Sequence, residues 1–393
     1  MSRGSRLFAG ALWVATIAAG PARAETMPID WRGLLEVTLA GRGRGAEANV
    51  LTFGDSPFDA YGARLFADAR PTDRLQVFTQ LVLRDASGLY IEGAYALYTP
   101  IADRDLHLMA GKIPWPIGTW APRAYSNKNP LIGTPLMYQY HSTLLWFDFP
   151  SDADQLLSLA GQGQYGAGYG YLGPRGMPVV DDSYWDVGAV ATGSARPLEF
   201  AFGATAGTPG WADTGLDENT GKTLLGRLGL VPAPYLRAGV SAAYGPYLAE
   251  VLNERLPASK TGNDYHQVLV MSDLQIDVAR ATLIAEAFVN SWETPTVGDL
   301  DVHGGYVEGK LTVAAGLYAA ARWDALRFGD VTDSGGNAHT WDRDVDRLEL
   351  GAGYRLDRGT LVKAVWQRHT ARARDAAPEH HDDLFGAQLS VSF

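Results

Sequence analysis

The chain has 393 residues with 45 Gly, 18 Tyr, 11 Trp and no Cys, and a formal charge of −11. The lack of Cys excludes a disulfide framework, and the acidic balance argues against a nucleic-acid partner. A mean hydropathy of −0.10 excludes a bundle of spanning helices but not a β-barrel, whose wall is apolar on one face only.

Residues 1–24 read as an export signal. Arg3 and Arg6 precede an apolar run from Leu7 to Gly20 that is too short to span a bilayer, and Ala22-Arg23-Ala24 has the small-residue form of a cleavage site. Cleavage after Ala24 removes three arginines and no acid, taking the formal charge from −11 to −14. No other stretch reaches the ~18 consecutive apolar residues of a spanning helix. The mature chain, 25–393, is expected to be one domain in the bacterial outer membrane.

The first strand is expected over 31–40, where Leu35, Val37 and Leu39 alternate with Glu36, Thr38 and Ala40. Strands at 75–84 and 90–99 follow, joined by the turn residues Asp85-Ala-Ser-Gly88. A fourth covers 106–112. Ile113-Pro-Trp-Pro then ends the strand pattern, because proline removes ladder donors. The stretch from there to about Gln139 is rich in aromatics, holds Arg123 and Lys128, and has no acidic residue between Lys112 and His141. Loops this long are functional or disordered, and the aromatic content argues against disorder. Two placements are open: packed among external loops, or folded inward to narrow a pore.

Residues 144–149 read as a strand, and 162–171 as a strand or a Gly/Tyr-rich loop. Strand pairs follow at 185–192 with 198–206 and at 223–231 with 235–244, the latter across Pro232-Ala-Pro234. Others follow at 265–274 with 278–292, across a turn at 275–277, then at 303–311 with 315–328 and 347–356 with 360–370. The last strand runs to the final residue. Phe385, Ala387, Leu389, Val391 and Phe393 share one face, and Gly386, Gln388, Ser390 and Ser392 the other. A strand ending on a bare aromatic suits a barrel whose final strand closes against its first. Deleting Phe393 is expected to lower assembly by the barrel assembly machinery.

One face of these strands is apolar and the other carries Arg, Glu, Gln and Ser, while short turns alternate with long loops. The fold expected is all-β: a transmembrane antiparallel barrel of about 16 strands in contact with outer-membrane lipid, with an inward-folding long loop and a water-filled lumen. A plugged receptor would need roughly 22 strands plus a plug domain, more than this chain supplies.

The stretch Leu108-Met-Ala-Gly-Lys-Ile-Pro-Trp-Pro-Ile-Gly118 resembles a segment of the phosphate-selective porin-like outer-membrane proteins, and Tyr318-Ala-Ala-Ala-Arg-Trp-Asp324 is similar to the same group. The resemblance implies a 16-stranded, trimeric, passive channel. It does not carry phosphate selectivity, because the family's basic ladder does not map onto this chain residue by residue.

The expected function is diffusion of small hydrophilic or anionic solutes. The expected constriction comprises Lys112, Arg123, Lys128, Arg322, Arg347, Glu308 and Glu349, because charges on strands cannot face lipid cheaply. The loop's cations are expected to give weak anion preference. No cofactor, metal or catalytic group is expected. The cluster Glu379-His-His-Asp-Asp383 reads as a solvated loop. Two alternatives are a barrel hydrolase and a non-conducting structural or adhesive barrel. The hydrolase's nearest Ser/His neighbours, His141 and Ser142, would point to opposite faces of a strand.

Overall fold

A computed structural model describes residues 27–41, 60–84, 88–161, 163, 176–181, 185–212, 219–372 and 380–393. The signal segment, the run 164–171 and Glu379 lie outside the described residues.

The strands, in chain order, are β1 (Ile29–Gly41), β2 (Ala60–Thr72), β3 (Leu75–Arg84), β4 (Leu89–Tyr98), β5 (Leu106–Pro114), β6 (Trp185–Ala195), β7 (Leu198–Thr205), β8 (Thr223–Ala233) and β9 (Leu236–Pro246). They continue as β10 (His266–Val278), β11 (Ala281–Thr294), β12 (Gly298–Ala314), β13 (Leu317–Phe328), β14 (Asp330–Thr332), β15 (Ala338–Thr340), β16 (Val345–Arg355), β17 (Thr360–Ala371) and β18 (His380–Ser392). Sixteen of these form one closed antiparallel barrel, each strand paired with the next, β13 directly with β16, and β18 back with β1. β14 and β15 form a separate hairpin within the connection from β13 to β16.

The closing seam is the one the C-terminal alternation implies. Leu35 opposes Val391, Val37 opposes Leu389 and Leu39 opposes Ala387, all on the outward face. Beyond Ser392 the seam gains two backbone bonds, Gly33 N to Phe393 O (2.7 Å) and Phe393 N to Gly33 O (3.0 Å). Connections at this end are tight: β10 ends at Val278 and β11 begins at Ala281, with Ala279 at φ 52°. Exposed Trp31, Tyr98, Tyr235, Tyr354 and Phe393 sit near this rim, and Tyr61, Tyr90 and Tyr244 near the opposite one. Such paired aromatic girdles border an outward apolar band.

Several expectations need correction. β2 was not anticipated. Residues 144–149 are not a strand but part of the long connection from β5 to β6, with Leu144 buried and a short helix α1 (Ala153–Ser158) following, capped by Asp152. The expected turn at 275–277 lies inside β10, and β8 runs through Pro232 to Ala233. Residues 380–383, expected in a loop, are the first of β18 and pair with β17. The inward face is also not uniformly polar. Leu269 and Met271 on β10, Phe288 and Trp292 on β11, Leu300 and Val302 on β12, and Phe328 on β13 point inward and pack against Trp120, Tyr138, Met177 and Tyr247 of the connecting segments. Along this arc the inward face is apolar over part of each strand's length, and the connecting segments pack against it to form a core inside the barrel.

Candidate functional site

The connection after β5 folds into the barrel. Pro114 ends the ladder and Gly118, at φ +62°, turns the chain inward. The Gly118 N–H donates to Ser241 Oγ of β9 (3.1 Å). Thr119 donates to Glu286 of β11 from both its N–H and its hydroxyl, and Tyr138 OH donates to the other oxygen of that carboxylate (2.8 Å). Arg123 donates to Tyr306 OH (3.1 Å) and to Glu308 of β12, with its guanidinium 5.5 Å from the Trp120 ring. Tyr125 then reaches β3, its hydroxyl donating to Gln80 (2.8 Å) and its ring edge-on to Phe66. Burial pushes the Tyr125 phenol up to about 12, so it remains a donor at any ordinary pH. Between Gly118 and Tyr125 the segment has therefore crossed the lumen from β9 to β3.

Its next stretch lies along β12–β18 and is held by wall charges gripping loop backbone. Glu349 accepts from the N–H groups of Ile132 (3.2 Å) and Gly133 (2.9 Å), and Asp324 accepts from Leu136 N (2.9 Å). Arg322 donates to Gly133 O (2.7 Å), and Arg347 donates to Thr134 O and to Gln139 Oε1 (2.7 Å). The same side chains pair with one another: Arg322 with Glu349 (2.5 Å), Glu308 (3.2 Å) and Asp324 (3.3 Å), and Arg347 with Asp324 (3.4 Å). A Cβ on Gly133 would overlap the Gln367 amide and the Glu349 carboxylate, so a side chain there would push these wall groups aside. The Arg322, Asp324, Arg347 and Glu349 side chains are at most 1% exposed. Such charges persist in a dry site only when paired and fully hydrogen-bonded. The three cations Arg123, Arg322 and Arg347 are ion-paired with the three carboxylates Glu308, Asp324 and Glu349, so this cluster carries no net formal charge.

Of the seven residues read from sequence, five meet here: Arg123, Arg322, Arg347, Glu308 and Glu349. Lys128 lies beside the cluster, lining a cavity of 430 Å³ with Arg227, Arg237, Lys310 and Asp277. Lys112 is apart from the rest. It shares the β5 face of Leu108 and Ala110, opposite that of His107 and Met109, and donates to Ile91 O (3.1 Å). Around the cavity, Arg227 is committed to Asp273 (2.6 Å) and Arg237 to Glu199 (3.3 Å). Lys310 lies 4.6 Å over the Tyr318 ring, and neither it nor Lys128 forms an ion pair among the described residues. A second cavity of 340 Å³ shares Gly118, Pro122 and Arg227 with the first. Asp324, Lys310, Lys363 and Asp273 were missed as site residues. Each is a charge on the period-two inward face of its strand, which is the signal that marks such positions.

Ser142 Oγ donates to Met177 O (2.8 Å) and His141 Nδ1 faces Gly176 O, so these neighbours engage different acceptors. No group of three metal-ligating side chains occurs among the described residues.

Neither a family model nor a curated protein matches the chain. Solved structures do. OmpF of Salmonella typhi, in complex with daunomycin, superposes with a TM-score of 0.56 at 11% identity, covering 93% of this chain and 98% of that one. The outer-membrane channel DcaP of Acinetobacter baumannii gives 0.55 at 11%, covering 93% and 97%. OmpT, an outer-membrane protein of Vibrio cholerae in a trimer form, gives 0.54 at 13%, covering 93% and 99%. At these identities the likeness is one of fold: a closed 16-stranded antiparallel barrel of porin architecture.

Proposed function

We propose that the chain is an outer-membrane channel for passive diffusion of small hydrophilic solutes, with a preference for anions, and not an enzyme. One observation carries the reading. The long connection enters the lumen and is fixed there by a cluster without net charge, while Lys128 and Lys310 line a cavity with Asp277 and form no ion pair among the described residues, leaving one positive charge in excess. In a confined aqueous passage, fixed charge of one sign sets ion preference. The apolar outer band and its aromatic rims suit outer-membrane lipid. The seam at Phe393 suits insertion by the barrel assembly machinery, the trimer form of one structural neighbour supports a homotrimer, and residues 1–24 are the cleaved signal. The separate acceptors of Ser142 and His141 weigh against the hydrolase alternative.

The test is planar-bilayer recording of the refolded protein, with reversal potentials in a salt gradient. Steps of current with a modest anion preference are expected. A protein that inserts without passing current is a structural barrel, and a cation-selective one removes the role given to the two lysines.

A further inference from the structure

The loop turn that carries Lys128 is wrapped round a single ammonium group. Lys363 of β17, 1% exposed, donates to the carbonyls of Ser126 (2.8 Å), Asn129 (3.1 Å) and Leu131 (2.8 Å). An ammonium has three N–H donors, and all three are used on backbone. Among the described residues no carboxylate lies within ion-pairing distance of it. Wall hydroxyls hold the same turn: Ser126 Oγ meets Ser390 Oγ (2.9 Å), Asn127 donates to Ser392 Oγ (2.9 Å) and Tyr318 donates to Pro130 O (3.0 Å). Ser126, Asn127, Asn129, Pro130 and Leu131 are thus each tied down through backbone or side chain. Lys128 is flanked on both sides by these ties, and its side chain goes to the cavity it shares with Lys310.

We propose that Lys363 is a positioning residue for Lys128: its caged ammonium fixes the 126–131 turn and thereby sets where the unpaired Lys128 charge stands in the passage. The proposal rests on the channel reading above. The residue type fits the task. A lysine ammonium is a compact charge with three rotatable donors, which a converging set of carbonyls can satisfy, whereas the planar fork of arginine matches carboxylates. Methionine at 363 keeps much of the side-chain length but leaves three buried carbonyls without a donor, and buried acceptors left unpaired drive the segment toward water. A lysine that merely stabilised the barrel would affect its unfolding and leave ion preference alone.

The experiment records reversal potential and single-channel conductance for the wild type, K363M, K128Q, the double variant and Y318F, with the compact unboiled gel band reporting an intact barrel. K363M is expected to lose the anion preference to the level of K128Q and to gain conductance as the turn leaves the wall. The double variant should lose no more than either single one, because both act through the same charge. Y318F keeps the ring under Lys310 and removes one tie to the turn, so it should shift the potential the same way by less. K363M with a wild-type reversal potential overturns the proposal, as do a K128Q variant that changes nothing and a double variant showing the sum of two independent losses. Should K363M fail to form the compact band, Y318F decides: an unchanged potential there rejects the idea. A wild type that carries no current overturns the channel reading and this role with it, an outcome distinct from a conducting wild type whose preference ignores Lys363.

Discussion

Replacing Arg322 by Met tests whether the lumen cluster is dry. The Arg322 side chain is fully buried, pairs with Glu308, Asp324 and Glu349, and donates to Gly133 O. In R322M, Arg123 remains on Glu308 and Arg347 on Asp324, but Glu349 loses its 2.5 Å ion-pair partner and keeps hydrogen bonds only from neutral groups, with Arg347 as its remaining neighbouring cation. Removing one partner of a buried pair costs about 3–5 kcal/mol, because the remaining charge is stranded. The volume change is small, so little of that cost is cavity. E349Q in the same protein removes the stranded charge and should restore a large part of the loss, giving a coupling of ~1–3 kcal/mol in a double-mutant cycle. The measurement is denaturant unfolding in detergent, followed by the compact gel band and by protease cleavage within 115–139, since the loop can leave the wall before the barrel opens. If R322M costs under ~1 kcal/mol, exposes no cleavage site and gains nothing from E349Q, water already reaches these charges and the sealed cluster is refuted.

Other consequences are open to direct measurement. K128Q/K310Q should remove most of the anion preference at 0.1 M salt with less than ~0.5 kcal/mol loss of stability, since neither side chain forms an ion pair among the described residues. The wild-type preference should weaken toward 1 M salt, where the Debye length shrinks to about 3 Å. Deleting Phe393 removes two seam hydrogen bonds to Gly33 and should lower the yield of assembled barrel on quantitative blotting of outer membranes. Asp342, buried in the connection between β15 and β16, accepts from Tyr140 OH, Thr143 N and Oγ1, and Gly161 N. D342A leaves those donors unpaired, so protease should cut the 140–161 stretch while the barrel band stays compact.

Strand periodicity made most of the wall legible, since each apolar/polar alternation is a direct record of a two-sided sheet. It failed where the contrast was weak. The outward face of β2 reads Tyr61, Ala63, Leu65, Ala67 and Ala69, and so many alanines blunt the alternation against Gly62, Arg64 and Phe66. It failed again where an apolar run has another use: Leu144 and its neighbours are apolar because they fill the barrel, not because they pair with a strand. The loop's placement was undecided for a physical reason. What holds it is mostly backbone, so its own sequence hardly records the wall charges that grip it. Those charges are visible on β13, β16 and β17 as Arg322, Asp324, Arg347, Glu349 and Lys363, but sequence gives no means of telling a charge that faces water from one that faces a carbonyl.

That distinction also decides how the acidic chain is proposed to favour anions. Arg123, Arg322 and Arg347 looked like the natural source of a positive field, yet each is matched by a carboxylate within the same cluster. A neutral, buried cluster projects little field into the passage. Net charge over the whole surface matters little more, because exposed charges beyond about 8–10 Å are screened at physiological salt. What remains is charge that is near the passage and in no ion pair, which among the described cavity residues means Lys128 on the loop and Lys310 on β12 against the single carboxylate of Asp277 on β10, an excess of one positive charge. Lys128 keeps that place only while its turn stays on the wall, so on this reading selectivity belongs as much to the carbonyl cage around Lys363 as to the lysine that faces the solute.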